Sequence, residues 1–328
     1  MFDKKITRRF FLTLSTLAPF ALGWTKTSAY AANKESKSDH FKYAADSDKS
    51  IGATKIVLLG TGTPNANPDR HGPSVAIVVN KTPYIIDCGP GVVRRAAGAY
   101  RKGVKGLRVD RLKKVFVTHL HSDHTAGYPD LILTPAVLGR RGPLEVYGPP
   151  GIKSMTNHVL KAYEEDIKTR THGLEKGNSE AYKVNVNEME EGTIYKDKLV
   201  SVKAFRVNHG NWKHAFGFRF ETPDKVIVIS GDTCPIGKII EESKDADVLI
   251  HEVYCSKAHS RRTPERKKYH SASHTSTYEL AKIALEARPK QLILYHQLLW
   301  GSKESTLMSE IRKYYDGKVS YGNDLDIY

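Results

Sequence analysis

The sequence predicts one globular domain in which layers of β-sheet are covered by helices. From residue 54 onward, short apolar runs rich in β-branched and aromatic residues alternate with segments that suit amphipathic helices. No linker-like stretch and no internal repeat interrupts this alternation. The chain has 328 residues, of which 40% are hydrophobic, so it is long enough to bury a large core. A peptide-like or fully disordered protein is therefore excluded.

Each predicted element follows from its composition and from the turn residues beside it. The predicted strands are separated by segments that contain Gly, Pro, Asn or Asp, and they cover residues 54–60, 74–79, 83–89, 113–119, 144–148, 199–209, 225–230, 247–254 and 291–296. Apolar periodicity predicts helices at residues 92–100, 152–168, 236–243, 276–287 and 303–315. Because strands and helices alternate, we expect layered sheets with helices outside.

The first 31 residues predict an export signal rather than part of the fold. Arg8 and Arg9 precede a moderately apolar run from Phe10 to Trp24, and an A-Y-A triplet that ends at residue 31 fits a small-residue cleavage site. The segment resembles a twin-arginine signal peptide. We therefore expect export by that route and a periplasmic or secreted protein.

The mature chain is expected to be basic and to contain no membrane span. Residues 1–31 carry five basic and one acidic side chains, so their removal lowers the net charge from +15 to +11. No other apolar run approaches the roughly 18 residues needed to cross a bilayer. Residues 32–53 are polar and predict a flexible leader, which leaves residues 54–328 as the folded domain. The positive charge predicts an anionic partner, and candidate contacts are Arg94, Arg95, Arg140, Arg141, Arg261, Arg262 and Arg266.

A cluster of metal-binding side chains follows the fourth predicted strand. The stretch THLHSDHTAG places His119, His121, Asp123 and His124 close together in the chain. Zinc prefers imidazole and carboxylate ligands, and α/β folds place ligand sites beyond the carboxyl ends of strands. Three further predicted strands end at or just before similar side chains, namely His209, Asp232 and His296. The sequence therefore predicts a metal centre built from the ends of several strands.

These motifs resemble those of the metallo-β-lactamase superfamily of binuclear zinc hydrolases. The resemblance rests on the H-x-H-x-D-H signature, on LGTGTPNANPDRHGPS from residue 59 and on DCGPG from residue 87, and it runs from about residue 54 to the C-terminus. It implies a catalytic domain folded as an αββα sandwich, with two mixed β-sheets flanked by helices, and two zinc ions per chain. One zinc ion would bind His119, His121 and His209, the other would bind Asp123, His124 and His296, and Asp232 would bridge them.

Two segments are similar to the branch of this superfamily that contains the tRNA 3′-processing endonucleases of ribonuclease Z type. They are VLIHEVYCSKAHS from residue 248 and YHSASHTSTYELAKIA from residue 269. By that resemblance His274 assists catalysis. We also expect Asp123 to orient the same step while it binds metal. Glu252, His251 and Asp87 are expected to support the ligands or to contact substrate.

The substrate expected from the resemblance is an aryl sulfate. The length, the twin-arginine start and the motif pattern resemble exported zinc arylsulfatases of this superfamily, in which two zinc ions would activate the water that attacks sulfur and releases a phenol and sulfate. The export signal and the lack of a long, basic, Gly-Pro-rich arm argue against a tRNA substrate. We therefore expect a small anionic ester and no nucleic acid as partner, and a homodimer is compatible with the resemblance.

Two other functions stay open on the sequence. A phosphate diester is tetrahedral and singly negative like an aryl sulfate, so the same centre suits a phosphodiesterase, including one for cyclic nucleotides. A catalytically inactive zinc-binding or sensory protein would keep the ligands but would have no use for His274. Turnover measured together with metal content separates these alternatives.

Overall fold

A computed structural model of the chain describes residues 53–328. The predicted signal peptide lies outside the described residues, as does the predicted leader except for residue 53. Twin-arginine export and a periplasmic location therefore stay predictions. The described residues belong to one compact unit, and none of their helices is long and apolar enough to cross a bilayer.

Six strands from the first part of the described chain form one mixed sheet, in which the spatial order follows the chain order. These strands are β1 (Thr54–Gly60), β2 (Ser74–Val79), β3 (Thr82–Ile86), β4 (Lys114–Phe116), β5 (Leu144–Gly148) and β6 (Val184–Glu188). The pairings from β1 to β3 are antiparallel, and those from β3 to β6 are parallel. Parallel neighbours require long crossover connections, which here contain helices.

Seven further strands form a second mixed sheet, in which the spatial order again follows the chain order. They are β7 (Gly192–Lys196), β8 (Ser201–Arg206), β9 (Phe216–Glu221), β10 (Val226–Ile229), β11 (Val248–Tyr254), β12 (Gln291–Leu298) and β13 (Val319–Tyr321). The pairings from β7 to β10 are antiparallel, and those from β10 to β13 are parallel. Both sheets are therefore mixed, as the sequence predicts.

Helices follow or join most of these strands. Within residues 53–328 they are α1 (Val92–Arg101), α2 (Ser122–Thr125), α3 (Tyr128–Val137), α4 (Ile152–Ala162), α5 (Glu164–His172), α6 (Gly237–Ser243), α7 (Ser256–Ser260), α8 (Pro264–Ser273), α9 (Thr277–Ala287) and α10 (Glu304–Arg312). The helix α9 begins with a capping box, in which Ser276 accepts from the Glu279 backbone and the Glu279 side chain accepts from the Ser276 backbone.

Three apolar layers hold the domain together. The central layer lies between the sheets, where Ile56 of β1 and Phe218 of β9 are fully buried in one cluster. The outer face of the first sheet packs on α1 through Ala96, and the outer face of the second packs on α9 through Leu280. Burial of one such large side chain contributes about 1.5–3 kcal/mol. The order of helix, sheet, sheet and helix is the predicted αββα sandwich.

The carboxyl ends of strands from both sheets meet at one edge of this sandwich. In the second sheet β8 runs in the same direction as β10, because two antiparallel pairings separate them, and β11 and β12 are parallel to β10. The first sheet reaches the same edge through β4, where the Thr118 carbonyl accepts from the Phe216 backbone at 3.0 Å. The loops that follow these strands therefore converge.

The structure differs from the expected elements where local sequence is a weak guide. The strands β6, β7, β9 and β13 are not predicted, and β6 and β7 are edge strands whose residues are half-buried or exposed. The helix expected at residues 152–168 is divided into α4 and α5 at Tyr163. The helix α3 is not predicted because it contains prolines. Pro129 is compatible with a helix since it lies in the first turn, where no backbone donor is needed. The strand expected to reach His209 ends at Arg206.

Candidate metal centre

All seven side chains predicted as metal ligands lie together at the edge where the strand ends converge. They form two adjoining clusters, one of His119, His121, His209 and Asp232 and one of Asp123, His124 and His296. Within each cluster the candidate ligand atoms lie within 4.8 Å of one another. Each set is therefore compact enough for every member to reach one ion. A third such group joins His274 to Asp232 and His296.

The short helix α2 after β4 positions the H-x-H-x-D-H segment. His121 has an extended backbone and immediately precedes the helix. Its carbonyl accepts from the His124 backbone at 3.1 Å and from the Thr125 hydroxyl at 2.9 Å. These bonds turn the chain sharply after His121. As a result one loop contributes His119 to the first cluster and Asp123 to the second.

Hydrogen bonds determine which nitrogen of several histidine rings faces the clusters. His124 Nδ1 donates to Asp87 Oδ2 at 2.8 Å, and His209 Nδ1 donates to the Ser273 carbonyl at 2.7 Å. With Nδ1 protonated, Nε2 keeps its lone pair and can bind a cation. His124 Nε2 is buried and has no hydrogen-bond partner within the described part of the chain. Such an unpartnered atom fits a centre that holds a metal ion.

Asp87, which is expected to support the ligands or to contact substrate, accepts a hydrogen bond from the His124 ring. Besides holding His124, it accepts from the Thr118 backbone at 2.8 Å and from the Thr118 hydroxyl. The Thr118 oxygen in turn contacts His119 Nδ1 at 3.0 Å. Asp87 and His296 also have left-handed backbones, with φ of 56° and 45°. Such strain in non-glycine residues costs on the order of 1–3 kcal/mol and concentrates at functional sites.

Asp232 lies between the two clusters. Its Oδ2 atom is close to nitrogens of His296 (3.4 Å), His124 (3.5 Å), His209 (3.9 Å), His119 (4.0 Å) and His274 (4.0 Å). Its Oδ1 atom is buried without a hydrogen-bond partner among residues 53–328. Burial alone would disfavour the charge of Asp232, but His296 and His124 outweigh it and hold its pKa well below the usual range. A buried carboxylate in contact with both clusters is suited to bridge two cations.

The two clusters differ in the protonation of their histidines. Burial lowers the pKa of His121 and of His209 to about 4. Burial acts in the same sense on His124, but the carboxylates of Asp232 and Asp87 outweigh it and hold the pKa of His124 well above its ordinary value. The first cluster therefore has neutral rings near neutral pH, whereas the second must release a proton before its ring can bind metal.

We expect this difference to separate the loss of the two zinc ions as the pH falls. Protons compete for His124 at a higher pH than for His121 and His209, whose rings stay neutral until the pH approaches 4. As the pH falls, protein equilibrated in buffered zinc should therefore pass from two ions per chain to one, by loss of the ion at the His124 cluster, before the second ion is lost. Metal content after rapid desalting measures this ratio, and loss of both ions in one step would contradict it.

His274, which is expected to assist catalysis, lies beside the Asp232 carboxylate. Its Nδ1 atom is 3.4 Å from Glu252 Oε2 and 4.0 Å from Asp232 Oδ2, and its ring stacks on His296 with centroids 5.7 Å apart. Glu252 is held in place because its Oε1 atom accepts from the Thr275 backbone at 2.8 Å. Burial lowers the pKa of His274 to about 4, so its ring is neutral near neutral pH.

Two predicted contacts are not brought into the centre. His251 precedes Glu252 in β11, and its Nδ1 donates to the Glu252 carbonyl at 2.6 Å. Its ring makes no hydrogen bond to a clustered side chain in the described part of the chain. Arg140, a candidate for attracting an anion, is 1% exposed, and its guanidinium donates to the carbonyls of Leu131, Ile132 and Ala181. Arg140 is therefore a structural residue.

Trp212 contacts the first cluster, and no motif in the sequence predicts this contact. Its indole Nε1 donates to His121 Nε2 at 2.6 Å. Its ring lies at right angles to that of His121, with centroids 4.8 Å apart. Trp212 has no motif around it, so the only signal in the sequence is its position three residues after His209.

Known proteins resemble this chain over most of its described length. A family model of the beta-lactamase superfamily domain matches residues 82–297. Ribonuclease Z of Mycobacterium marinum is 31% identical over 276 residues, which cover 83% of this chain and 96% of that protein. The match therefore includes nearly the whole of the relative.

Solved structures share the fold at lower identity. The metallo-beta-lactamase fold protein YhfI of Bacillus subtilis is 18% identical with a TM-score of 0.65, over 84% of this chain and 99% of that chain. Human tRNase Z, short form, is 23% identical with a TM-score of 0.61, over 84% of this chain and 98% of that chain. At these identities the two structures establish the architecture alone.

The prediction of an arylsulfatase is wrong. Relatives at about 30% identity that match this chain over nearly their whole length are named ribonuclease Z, and they point to a nuclease rather than to a sulfuric ester hydrolase. The expectation that nucleic acid is no partner loses its support for the same reason. The absence of a long basic arm is thus not a sufficient argument against an RNA substrate.

The cofactor prediction is confirmed, because the histidine and aspartate clusters fit the two zinc ions that the family binds. His124 Nε2 and Asp232 Oδ1 are buried without a hydrogen-bond partner among residues 53–328, which fits side chains that hold a cation. A zinc-dependent hydrolase is the enzyme class that these observations support. The chain belongs to the metallo-β-lactamase superfamily and to its ribonuclease Z-like branch.

Proposed function

We propose that this protein hydrolyses phosphodiester bonds of RNA, as a nuclease of ribonuclease Z type. The observation that carries the proposal is the match to proteins named ribonuclease Z over 96% of their length, together with a complete set of candidate ligands at one edge of the fold. Precursor tRNA with a 3′ extension is the first substrate to test, because the resemblance is to enzymes that process tRNA 3′ ends.

The proposed ligand sets follow the two clusters. One zinc ion would be held by His119, His121 and His209, the second by Asp123, His124 and His296, and the Asp232 carboxylate would serve both. When bound, the zinc pair polarises a phosphoryl oxygen and lowers the pKa of water. Asp87 and the Ser273 carbonyl keep the donor nitrogens of the rings directed at the ions.

We assign the proton transfer to the leaving oxygen to His274, whose neutral ring first accepts the proton that the attacking water releases. Hydrolysis of an RNA strand releases an alkoxide, which is a poorer leaving group than a phenolate and therefore gains more from a proton donor. His274 lies next to Asp232, and the Glu252 carboxyl that contacts its Nδ1 fixes the orientation of the ring. Glu252 is thus a positioning residue in this proposal.

A basic helical segment beside the centre supports a polyanionic substrate. Residues 256–273, which comprise α7 and α8, contain six lysine or arginine side chains and one glutamate, for a net charge of +5 with neutral histidines. This segment joins β11, which carries Glu252, to His274. Lys257, Arg261 and Arg266 are exposed, and no carboxylate of the described residues lies within ion-pair distance of them. Such a surface suits the phosphates of a nucleic-acid strand.

We expect the double variant Arg261→Ala, Arg266→Ala to weaken RNA binding while the zinc content stays at two. Each lost phosphate contact should reduce the slope of log K against log salt by roughly 0.7 for a single strand. The matched control is Lys244→Ala, Lys318→Ala, because these exposed lysines precede β11 and β13 at the opposite edge of the sheet. Binding is measured by fluorescence anisotropy across a salt series, and equal losses in both double variants would contradict the assignment.

The proposed function is tested by incubating the zinc-loaded protein with two RNAs of equal length. One is a precursor tRNA with a 3′ extension, and the other is an unstructured strand. Cleavage of RNA that a chelator abolishes would support the proposal, and cleavage at the end of the acceptor stem would specify tRNA 3′ processing. Intact RNA in the presence of protein that holds two zinc ions would refute it.

A further inference from the structure

We propose that a pocket next to the first cluster, walled by Trp212 and Tyr269, binds a nucleobase of the RNA strand adjacent to the scissile phosphate. The inference rests on the proposed function and specifies how the same site holds its substrate. The pocket has a volume of about 470 Å³, which lies in the range of sites that bind small organic groups.

One face of α8 forms a wall of this pocket. Glu265, Lys268, Tyr269, Ala272 and Ser273 line it, and their spacing of three and four residues places them on the same side of a helix. Although α8 begins far from the clusters in sequence, its last turn contacts them, since the Ser273 carbonyl accepts from His209. The helix therefore extends outward from the metal centre with this face toward the pocket.

The opposite wall is the turn that follows His209. The Trp212 backbone donates to the His209 carbonyl at 3.0 Å, and Gly210 has a left-handed backbone with φ of 55°. A Cβ atom at Gly210 would lie 2.6 Å from the Ser273 hydroxyl, so glycine permits the close approach of this turn to α8. The pocket is thus built by a tight, defined contact rather than by a loose loop.

The aromatic side chains define the chemistry of the occupant. Tyr269 is 48% exposed although its ring is large and apolar, and Trp212 is only half-buried. Aromatic faces open to solvent beside a catalytic centre suit the stacking of a planar base. Lys268 is exposed on the same helix face and supplies a cation for the adjoining phosphate.

Polar groups in the same pocket match the edge of a base. Asn211 is exposed in the turn and offers both a donor and an acceptor. The Ser273 hydroxyl is buried in the wall and lacks a hydrogen-bond partner within residues 53–328. His121 and His209 complete the lining, so a base in this pocket belongs to a nucleotide next to the bond that is cleaved.

The test measures RNA binding in chelator, so that it does not depend on hydrolysis. Fluorescence anisotropy compares an intact RNA with two RNAs that lack the base on the 5′ or the 3′ side of the cleavage site. We expect Tyr269→Ala to weaken binding of the intact RNA about tenfold, since stacking on one base contributes about that much or more. Tyr269→Phe keeps the ring and should bind like the wild type.

If the pocket binds a base, the loss of affinity from removing the Tyr269 ring and the loss from removing that base should not add. One of the abasic RNAs should bind the wild type about tenfold more weakly, and Tyr269→Ala should weaken that RNA no further. The matched control is Tyr314→Ala, because Tyr314 is 47% exposed and lies after α10, before β13 at the opposite edge of the second sheet. This control should bind all three RNAs like the wild type.

Equal weakening of intact and abasic RNA by Tyr269→Ala, or no weakening at all, would overturn the pocket assignment. Failure of the proposed function gives a different result, in which wild-type protein loaded with zinc leaves all RNAs uncleaved whatever their affinity. The steady-state parameters then add a second criterion. On intact RNA, Tyr269→Ala should raise KM about tenfold with little change in kcat, because the base contact is made equally in the ground state and the transition state.

Discussion

Replacement of Asp232 by asparagine is expected to lower the zinc content below two ions per chain and to reduce RNA cleavage by about a thousandfold or more. The asparagine keeps the shape of the side chain but removes the charge that lies within 4.0 Å of five histidine nitrogens. Both clusters therefore lose the one carboxylate that they share. Metal content by atomic absorption and cleavage rates on the same preparation measure both effects.

The matched control for this variant is Asp247→Asn. Asp247 precedes β11 at the opposite edge of the sheet, where it accepts from the Val226 backbone and pairs with Lys290. This control should hold two zinc ions and cleave RNA at the wild-type rate. If Asp232→Asn retained both ions and full activity, the carboxylate would not bridge the two sets of ligands.

Replacement of His274 by alanine is expected to slow cleavage by about 10²–10⁴-fold while two zinc ions stay bound. General acid catalysis by one positioned side chain contributes that range, and the proposed ligand sets do not include His274. Glu252→Gln should cause a smaller loss in kcat, because Glu252 acts only by orienting the ring. Single-turnover rates and zinc content on the same samples measure these effects.

The structure makes the His274 experiment decisive, since His274 also forms a compact group with Asp232 and His296. Loss of a zinc ion in His274→Ala would identify it as a ligand and would contradict its assignment as a proton donor. His158→Ala is the matched control, because His158 is exposed on α4 and lies outside both clusters. It should keep both the metal and the rate.

The layers of sheet and helix and the residues that cluster could be predicted from local patterns in the sequence, whereas the αββα order and the division into two ligand sets came from the resemblance to the superfamily. Apolar runs define most of the strands, and a ligand such as His296 or Asp232 lies at or just after the end of its run. Parallel strands bring their carboxyl ends to one edge, so side chains far apart in the chain meet there. The structure adds the support that depends on tertiary contacts, such as the hydrogen bond that His124 donates to Asp87.

The substrate and the pocket could not be predicted in this way. The ligands of a binuclear centre are compatible with several esters, and the expected arylsulfatase rested on length and on an N-terminal segment that do not contact the centre. Trp212 and Tyr269 belong to no motif, and they come together only because the turn at Gly210 packs on α8. The role of Arg140 could not be predicted either. Its charge suggests contact with an anion, but the side chain is buried.

The most direct measurement is a zinc titration of the metal-free protein with RNA cleavage followed at each step. The proposal predicts that cleavage depends on the filled centre, so activity should rise with bound zinc and reach its plateau at two ions per chain. Precursor tRNA with a 3′ extension is the substrate, and Asp232→Asn is carried through the same titration as the inactive reference. RNA that stays intact when the wild-type chain holds two zinc ions would contradict the proposal that this centre cleaves RNA.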